Sequence, residues 1–187
     1  HNPLQALRDD YDHFHHIEGE FSEELKVYSG MLKALDRSVG RILDTLEKNN
    51  LTDNTLIVLT SDNGGANYIH LSDINKPYRG WKLTHFEGGL HVPFMAKWPN
   101  KIKPGIEFNA PIHANDILPT FAAAAGAELP DDRIIDGVNL LPFLQNHNSD
   151  MPHETLYWLQ GRLQTVLHEN WKLITDHRTG KDWLFNV

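Results

Sequence analysis

Between Ser22 and Asn49 the apolar residues Leu25, Tyr28, Leu32, Leu35, Val39, Ile42 and Leu46 return at alternating spacings of three and four. That period lines one face of a helix, and such a helix would be on the order of 40 Å long. Ser22 is its expected N-cap, with Glu23 and Glu24 in the first turn, and Lys48, Asn49 and Asn50 close it. It reads as scaffold packed on a sheet rather than as a coiled-coil or partner-binding helix. The period then changes. Leu56, Ile57, Val58 and Leu59 are consecutive and largely branched, which predicts a buried strand, apolar on both faces, of the kind found in parallel sheets covered by helices. Residues 66–78 show no periodicity and read as a long loop. Val92–Trp98 is the next predicted strand, followed by the turn cluster PNKIKPG. Asn115 or Asp116 can cap a helix running to Ala125, with Pro119 tolerated in its first turn, a small-residue AAAA face, and Gly126 ending it. A short helical piece is expected around Leu140–Leu144.

The two ends differ from this middle. HNPLQAL is extended and proline-marked, and DDYDHFHHIEGE reads as a loop or a short irregular helix. His13, His15 and His16 in that stretch are read as solvated surface rather than a metal cluster, because no helical carboxylate–His spacing accompanies them. Beyond Asn146 come four short apolar segments, ETLYW, LQTVLH, WKLIT and DWLFNV. They are separated by Gly161, Glu169–Asn170 and Thr179–Gly180, which predicts a small antiparallel sheet. The expected organisation is therefore an α/β portion over 1–146 and a small β subdomain over 147–187.

Composition narrows the classes. The chain has 187 residues with a net charge of −8, which argues against a nucleic-acid partner. No apolar run is long enough to span a bilayer, so no membrane partner is expected. With no cysteine, disulfides, zinc–thiolate sites and a cysteine nucleophile are excluded within these residues. The sequence opens on His1 without a methionine or signal-like segment, which reads as a processed or cut chain.

Chemistry concentrates between Leu56 and Gly89. At the carboxyl end of the predicted strand the sequence turns to Ser61-Asp62-Asn63-Gly64-Gly65, at the edge where α/β sheets build ligand sites. Asp62 and Asn63 offer hard oxygen donors, and the two glycines permit a sharp turn. Asn-Gly is also the commonest hairpin signal, but no alternating return strand follows it. A second glycine-rich element does follow, RGWKLTHFEGG from Arg79 to Gly89, and it carries Lys82.

SDNGG after an apolar strand, followed by YRGWKLTHFEGGLHVPF, resembles the sulfatases of the alkaline-phosphatase superfamily, in particular the arylsulfatase B-like and polysaccharide sulfatase branch. HNPLQA is similar to that family's His-x-Pro segment, NDILPTFAAAAGAELPDDRIIDGVNLLPFL to its DLLPT…AG…DG…SLLP stretch, and WKLI and WLFNV to its small C-terminal sheet. The resemblance implies the C-terminal part of an α/β sandwich with a mostly parallel central sheet, plus a small antiparallel sheet. It implies a parent hydrolase that cleaves sulfate esters of small molecules or polysaccharides with a formylglycine nucleophile and one calcium ion, in a periplasmic, secreted or lysosomal setting. Asp62 and Asn63 match metal ligands, Lys82 the lysine that contacts the sulfate, and His1 the histidine that protonates the leaving alcohol. The ion would act as a Lewis acid on the sulfate oxygens and hold the formylglycine hydrate.

Glu87, Gly88 and Gly89 match the family signature and read as a turn that aims Lys82. His91 stands where many relatives carry Arg. Arg79 and His85 could face substrate or sit at its rim. The C/S-x-P-x-R motif that supplies the nucleophile is absent from these residues, as are the remaining metal ligands, so the isolated chain is expected to be inactive and to bind calcium weakly. Two alternatives stay open: a phosphate or phosphonate ester hydrolase of the same superfamily, and a non-catalytic module.

Overall fold

The computed structural model describes residues 3–71, 73–146 and 150–187. The backbone divides into two compact units, one of His1–Asp53 with Asn63–His91, the other of Asn54–Asp62 with Val92–Val187. Residues 147–149, where the sequence places a subdomain boundary, lie outside the described residues, as does His1.

In the first unit α1 (Arg8–Asp12) packs on α2 (Ser22–Lys48). The contact is close because Gly30 is buried there: a Cβ on it would lie 2.9 Å from Ala6 Cβ and 3.2 Å from the Tyr11 amide. Asp10, only 3% exposed, receives both guanidinium nitrogens of Arg37 at 2.6 and 2.8 Å. The Tyr11 hydroxyl donates to Glu23. The long helix spans the expected residues with the expected acidic first turn, but Ser22 does not cap it. Ser22 is its first residue, and Phe21, in a left-handed conformation at φ 58°, holds the cap position without a side-chain bond. The chain enters through a turn in which Ser22 N–H bonds Gly19 O, so the serine arrives one position too late. At the other end Asn50 is left-handed (φ 56°), with Asn50 N–H on Glu47 O and Leu51 N–H on Leu46 O, both 2.9 Å. These two bonds close the last orphan carbonyls of the helix in a Schellman motif. Leu32, Leu35 and Ile42 on its apolar face remain 48%, 54% and 59% exposed.

In the second unit β1 (Ile57–Thr60) pairs antiparallel with β2 (Phe94–Lys97), Ile57 opposite Lys97 and Thr60 opposite Phe94. β1 is half-buried rather than buried on both faces, and Leu59 is 38% exposed. The exposure rises along the strand rather than by face, from the half-buried Ile57 and Val58 to the exposed Leu59 and Thr60, and among the described residues its strand partner, β2, is antiparallel. A core of Trp98, Ile102, Leu140, Leu141 and Leu144 forms beside it, with Leu56, Phe94 and Ala96 packed against it. It joins the strand pair to α4 (Ile117–Ala125), through Ala124, and to α5 (Leu141–Leu144). Gly126 ends α4 at φ 65° as expected.

The cap of α4 is neither Asn115 nor Asp116 alone. A 3-10 turn, Ala114–Asp116, precedes the helix, and His113 caps that turn: its Nδ1 accepts Asn115 N–H at 3.2 Å, while Asp116 Oδ2 accepts His113 N–H at 2.7 Å.

The four C-terminal segments form the expected antiparallel sheet, a meander of β3 (Thr155–Gln160), β4 (Leu163–His168), β5 (Trp171–Asp176) and β6 (Lys181–Asn186). Its turns fall on Gly161, Glu169–Asn170 and Thr179–Gly180. Pleating puts Thr165, Lys172, Ile174 and Asp176 on one, buried, side. On the other side Tyr157, Val166, Leu173 and Leu184 form one row across all four strands. Among the described residues no helix is long and apolar enough to cross a membrane.

Candidate functional site

The segments that the sequence singles out meet within the first unit through their backbones. Gly64 N–H donates to Gly89 O at 3.0 Å, Lys82 N–H to Gly65 O at 3.0 Å, and Gly88 N–H to Arg79 O at 2.8 Å. The glycines are there for contact rather than for flexibility. A Cβ on Gly64 would lie 1.8 Å from Gly88 O, one on Gly88 2.4 Å from Gly80 O, and one on Gly89 2.1 Å from Thr84 O. Each neighbour is a backbone oxygen that has no side-chain freedom with which to yield. Glu87-Gly88-Gly89 therefore does not form a simple turn. It opens a short helix, α3 (Glu87–Leu90), whose two glycines are buried against the 79–84 loop and Gly64.

Lys82 sits in this frame with its amide tied to Gly65 and its side chain half-buried. Asn63, half-buried, precedes the same glycine pair, and its Nδ2 donates to Gly64 O at 3.0 Å. The structure thus binds residues 63–65 and 79–89 into one frame that carries both Asn63 and Lys82. Asp62 is exposed at the end of the Asn54–Asp62 segment, peptide-bonded to Asn63. The carboxylate of Asp62 and the carboxamide oxygen of Asn63 are hard donors of the type calcium takes. Two such side chains fit part of a shell of about six to eight oxygens. Among the described residues no three or more His, Cys, Asp or Glu side chains group as a metal site.

The flanking residues have other work. His85 is 4% exposed, which removes it from any substrate rim within this unit. The Arg79 guanidinium lies over the Phe86 ring, 4.3 Å from its centroid. His91 Nδ1 is 3.0 Å from Glu87 Oε2, and its ring stacks on Tyr78 at 4.5 Å, so Glu87 and His91 hold each other across one helical turn. One residue that the sequence reading passes over holds the two segments together. Asn75 Oδ1 accepts Gly65 N–H at 2.7 Å, and its Nδ2 donates to Gly65 O and Gly80 O at 3.0 Å each. Nothing in the sequence separates it from Asn67, the other asparagine of the 66–78 loop.

With this geometry in hand, comparison with known proteins is informative. A family model described as Sulfatase matches residues 1–127, and one described as N-sulphoglucosamine sulphohydrolase, C-terminal, matches residues 80–184. Steryl-sulfatase of Rattus norvegicus is 43% identical over 136 residues, covering 70% of this chain and 24% of that protein. The solved structure of Ps i-CgsB in complex with k-i-k-neocarrahexaose superposes with a TM-score of 0.87 at 37% identity, over 100% of this chain and 41% of that one. BT4656, solved in complex with its substrate D-Glucosamine-2-N, 6-O-disulfate, gives 0.66 at 25% identity, over 91% of this chain and 36% of that one. The chain thus spans about a quarter of the length of the steryl-sulfatase and well under half of the solved relatives.

Proposed function

The chain belongs to the sulfatase family, and from that premise we propose that it forms the C-terminal part of a hydrolase that cleaves sulfate esters, with a sulfated saccharide or sulfated small molecule as substrate. The observation that carries this reading is the interlock of residues 63–65 with 79–89, which holds Asn63 and Lys82 in one backbone frame. A frame of backbone hydrogen bonds fixes a charged side chain before substrate arrives, which is what stabilisation of developing charge requires.

In this reading Asp62 and Asn63 would contribute oxygens to a calcium ion, which when bound would supply Lewis-acid polarisation of the sulfate. Lys82 places a compact positive charge on the sulfate oxygens and on the leaving oxygen as negative charge grows there. His1, outside the described residues, delivers the proton to the departing alcohol, a role suited to a group that titrates near neutrality. The nucleophile is a formylglycine contributed from outside these residues.

The test uses the complete protein with its nucleophile-bearing segment, assayed on an aryl sulfate and on the matching aryl phosphate and phosphonate esters. Turnover of the sulfate ester, with formylglycine detected by peptide mass, is expected. Preference for the phosphate or phosphonate ester, with an unmodified Ser or Thr as nucleophile, would overturn the sulfatase reading in favour of a phosphoryl-transfer relative.

A further inference from the structure

Asn75 meets Lys82 at a single atom. The Gly65 carbonyl oxygen accepts the Asn75 Nδ2 donor and the Lys82 amide, each at 3.0 Å. The same asparagine takes the Gly65 amide on its Oδ1 at 2.7 Å and gives its second amide hydrogen to Gly80 O at 3.0 Å. All three hydrogen bonds run to backbone, from a half-buried side chain on a loop with no regular secondary structure around it. The chemistry of the three partners leaves one orientation. Turning the amide over would set its NH2 against an N–H and its oxygen against two carbonyls. An aspartate could keep the acceptor but would face two carbonyl oxygens with no hydrogen to give. A serine is too short to span both glycines.

We infer that Asn75 is a positioning residue for the sulfatase site: it clamps the Asn63-Gly64-Gly65 corner to the Arg79-Gly80-Trp81-Lys82 loop and so fixes where Lys82 stands relative to Asn63. This rests on the function proposed above and adds to it the residue through which two parts of the site are held in register. Asn75 touches neither substrate nor metal in this role; it acts through Gly65 and Gly80. Gly65 O holds the Lys82 amide and Gly80 is two residues from Lys82, so slack in either bond transfers to Lys82 with little chain to absorb it. Misplacement of a catalytic group by about 1 Å costs rate heavily, and loss of a supporting hydrogen bond commonly lowers activity about 10- to 100-fold.

The experiment is a double-mutant cycle in the complete protein, read by kcat/KM on an aryl sulfate. Asn75→Ala and Asn75→Asp each lower kcat/KM about 10- to 100-fold, while Lys76→Ala, at an exposed residue paired to Asp73, leaves it unchanged. The deciding arm adds Asn75→Ala to Lys82→Ala. If Asn75 acts through Lys82, the double variant is within about threefold of Lys82→Ala alone, because the group being positioned is already gone. A residue that merely supports the fold would multiply the two losses. Hydrogen exchange accompanies the kinetics. In Asn75→Ala the Gly65 and Lys82 amides lose protection while the α2 amides keep theirs. Multiplicative losses, or unchanged protection of Gly65 and Lys82, would overturn the positioning role while leaving the sulfatase reading intact. Absence of sulfate ester turnover in the parent protein, with Asn75 unaltered, would overturn both.

Discussion

The Gly64 amide donates to the Gly89 carbonyl across 3.0 Å, and this bond joins two motif segments that are 25 residues apart in the chain. Contact at that distance requires bare backbone on both sides. Gly64→Ala would drive a Cβ to 1.8 Å from Gly88 O. The expected loss is about 3 kcal/mol, the upper part of the range for overpacking a rigid site. Gly40, within α2, provides the contrast, since a Cβ there meets nothing within 4 Å. Gly40→Ala raises stability by about 0.5–1 kcal/mol through helix propensity. Denaturant midpoints for the two variants should move in opposite directions. A neutral Gly64→Ala would show that the two segments can separate.

Legibility in the sequence followed the range of the interaction. The period of Leu25 to Leu46 fixes α2 to within a residue at either end, and the four apolar segments after Asn146 locate all four strands of the meander, because turns and amphipathic repeats are local. The candidate site residues are picked out by composition. Asp62, Asn63, Gly64, Gly65 and Lys82 stand out by type and spacing, and the α/β class and family follow from the same residues. What escaped depends on three-dimensional neighbours. Asn75 earns its place through Gly65 and Gly80, partners 10 and 5 residues away in an aperiodic loop. His113 caps a turn although histidine is not a usual capping residue. β1 reads as fully buried from four consecutive apolar residues, yet its exposure rises along the strand, from the half-buried Ile57 and Val58 to the exposed Leu59 and Thr60, because cover is set by neighbours distant in the chain.

The α4 cap should respond to pH. Asp116 is fully buried, and its carboxylate accepts Val138 N–H and His113 N–H and lies 2.9 Å from His153 Nε2 through each oxygen. Burial pushes the His113 imidazole below its ordinary value, with repulsion from His153 in the same direction and attraction to Asp116 and Asp136 against it. A histidine whose folded pKa is depressed takes up its proton more readily when unfolded. Stability therefore falls as pH drops below the ordinary histidine value of about 6.5 toward the depressed folded one. A side-chain hydrogen bond with Asn115 acts against the depression, while the Nδ1 bond accepted from Asn115 N–H is lost on protonation, because a protonated ring cannot accept it. His113→Asn keeps an acceptor without a titrating ring and should flatten the dependence of the thermal midpoint on pH in that window. An unchanged slope would assign the pH response elsewhere.

A second pH response, of opposite chemical origin, belongs to Asp10. Its bidentate bond from Arg37 holds the carboxyl below the usual aspartate range. The sign is that of a depressed acid: the stabilisation is complete above the ordinary aspartate value and is lost as pH falls through the folded one. Arg37→Ala should raise the Asp10 pKa and move the acid limb of unfolding to higher pH, since a nearly buried carboxylate is left without its cation. Titration of the Asp10 side-chain carbon by NMR measures this directly. An Asp10 pKa that stays depressed in the variant would refute the pairing as its cause.

Lys82 provides the sharpest test of the proposed chemistry. Its amide is fixed by Gly65 O and its loop by the buried glycines of α3, so truncating the side chain should leave the frame in place. In the complete enzyme Lys82→Ala is expected to lower kcat by about 100-fold or more, the usual result of removing one preorganised stabiliser of transition-state charge. Lys82→Arg restores the charge but spreads it over a larger planar group, so it should recover only part of the loss. The size of the defect should also depend on the ester. If Lys82 stabilises charge on the leaving oxygen, the loss grows as the leaving alcohol becomes less acidic, because more charge then needs stabilisation at bond cleavage. Single-turnover rates on a series of substituted aryl sulfates measure that slope. A kcat within about threefold of the unaltered enzyme would take Lys82 out of the site, and a flat slope would confine its role to the bound sulfate.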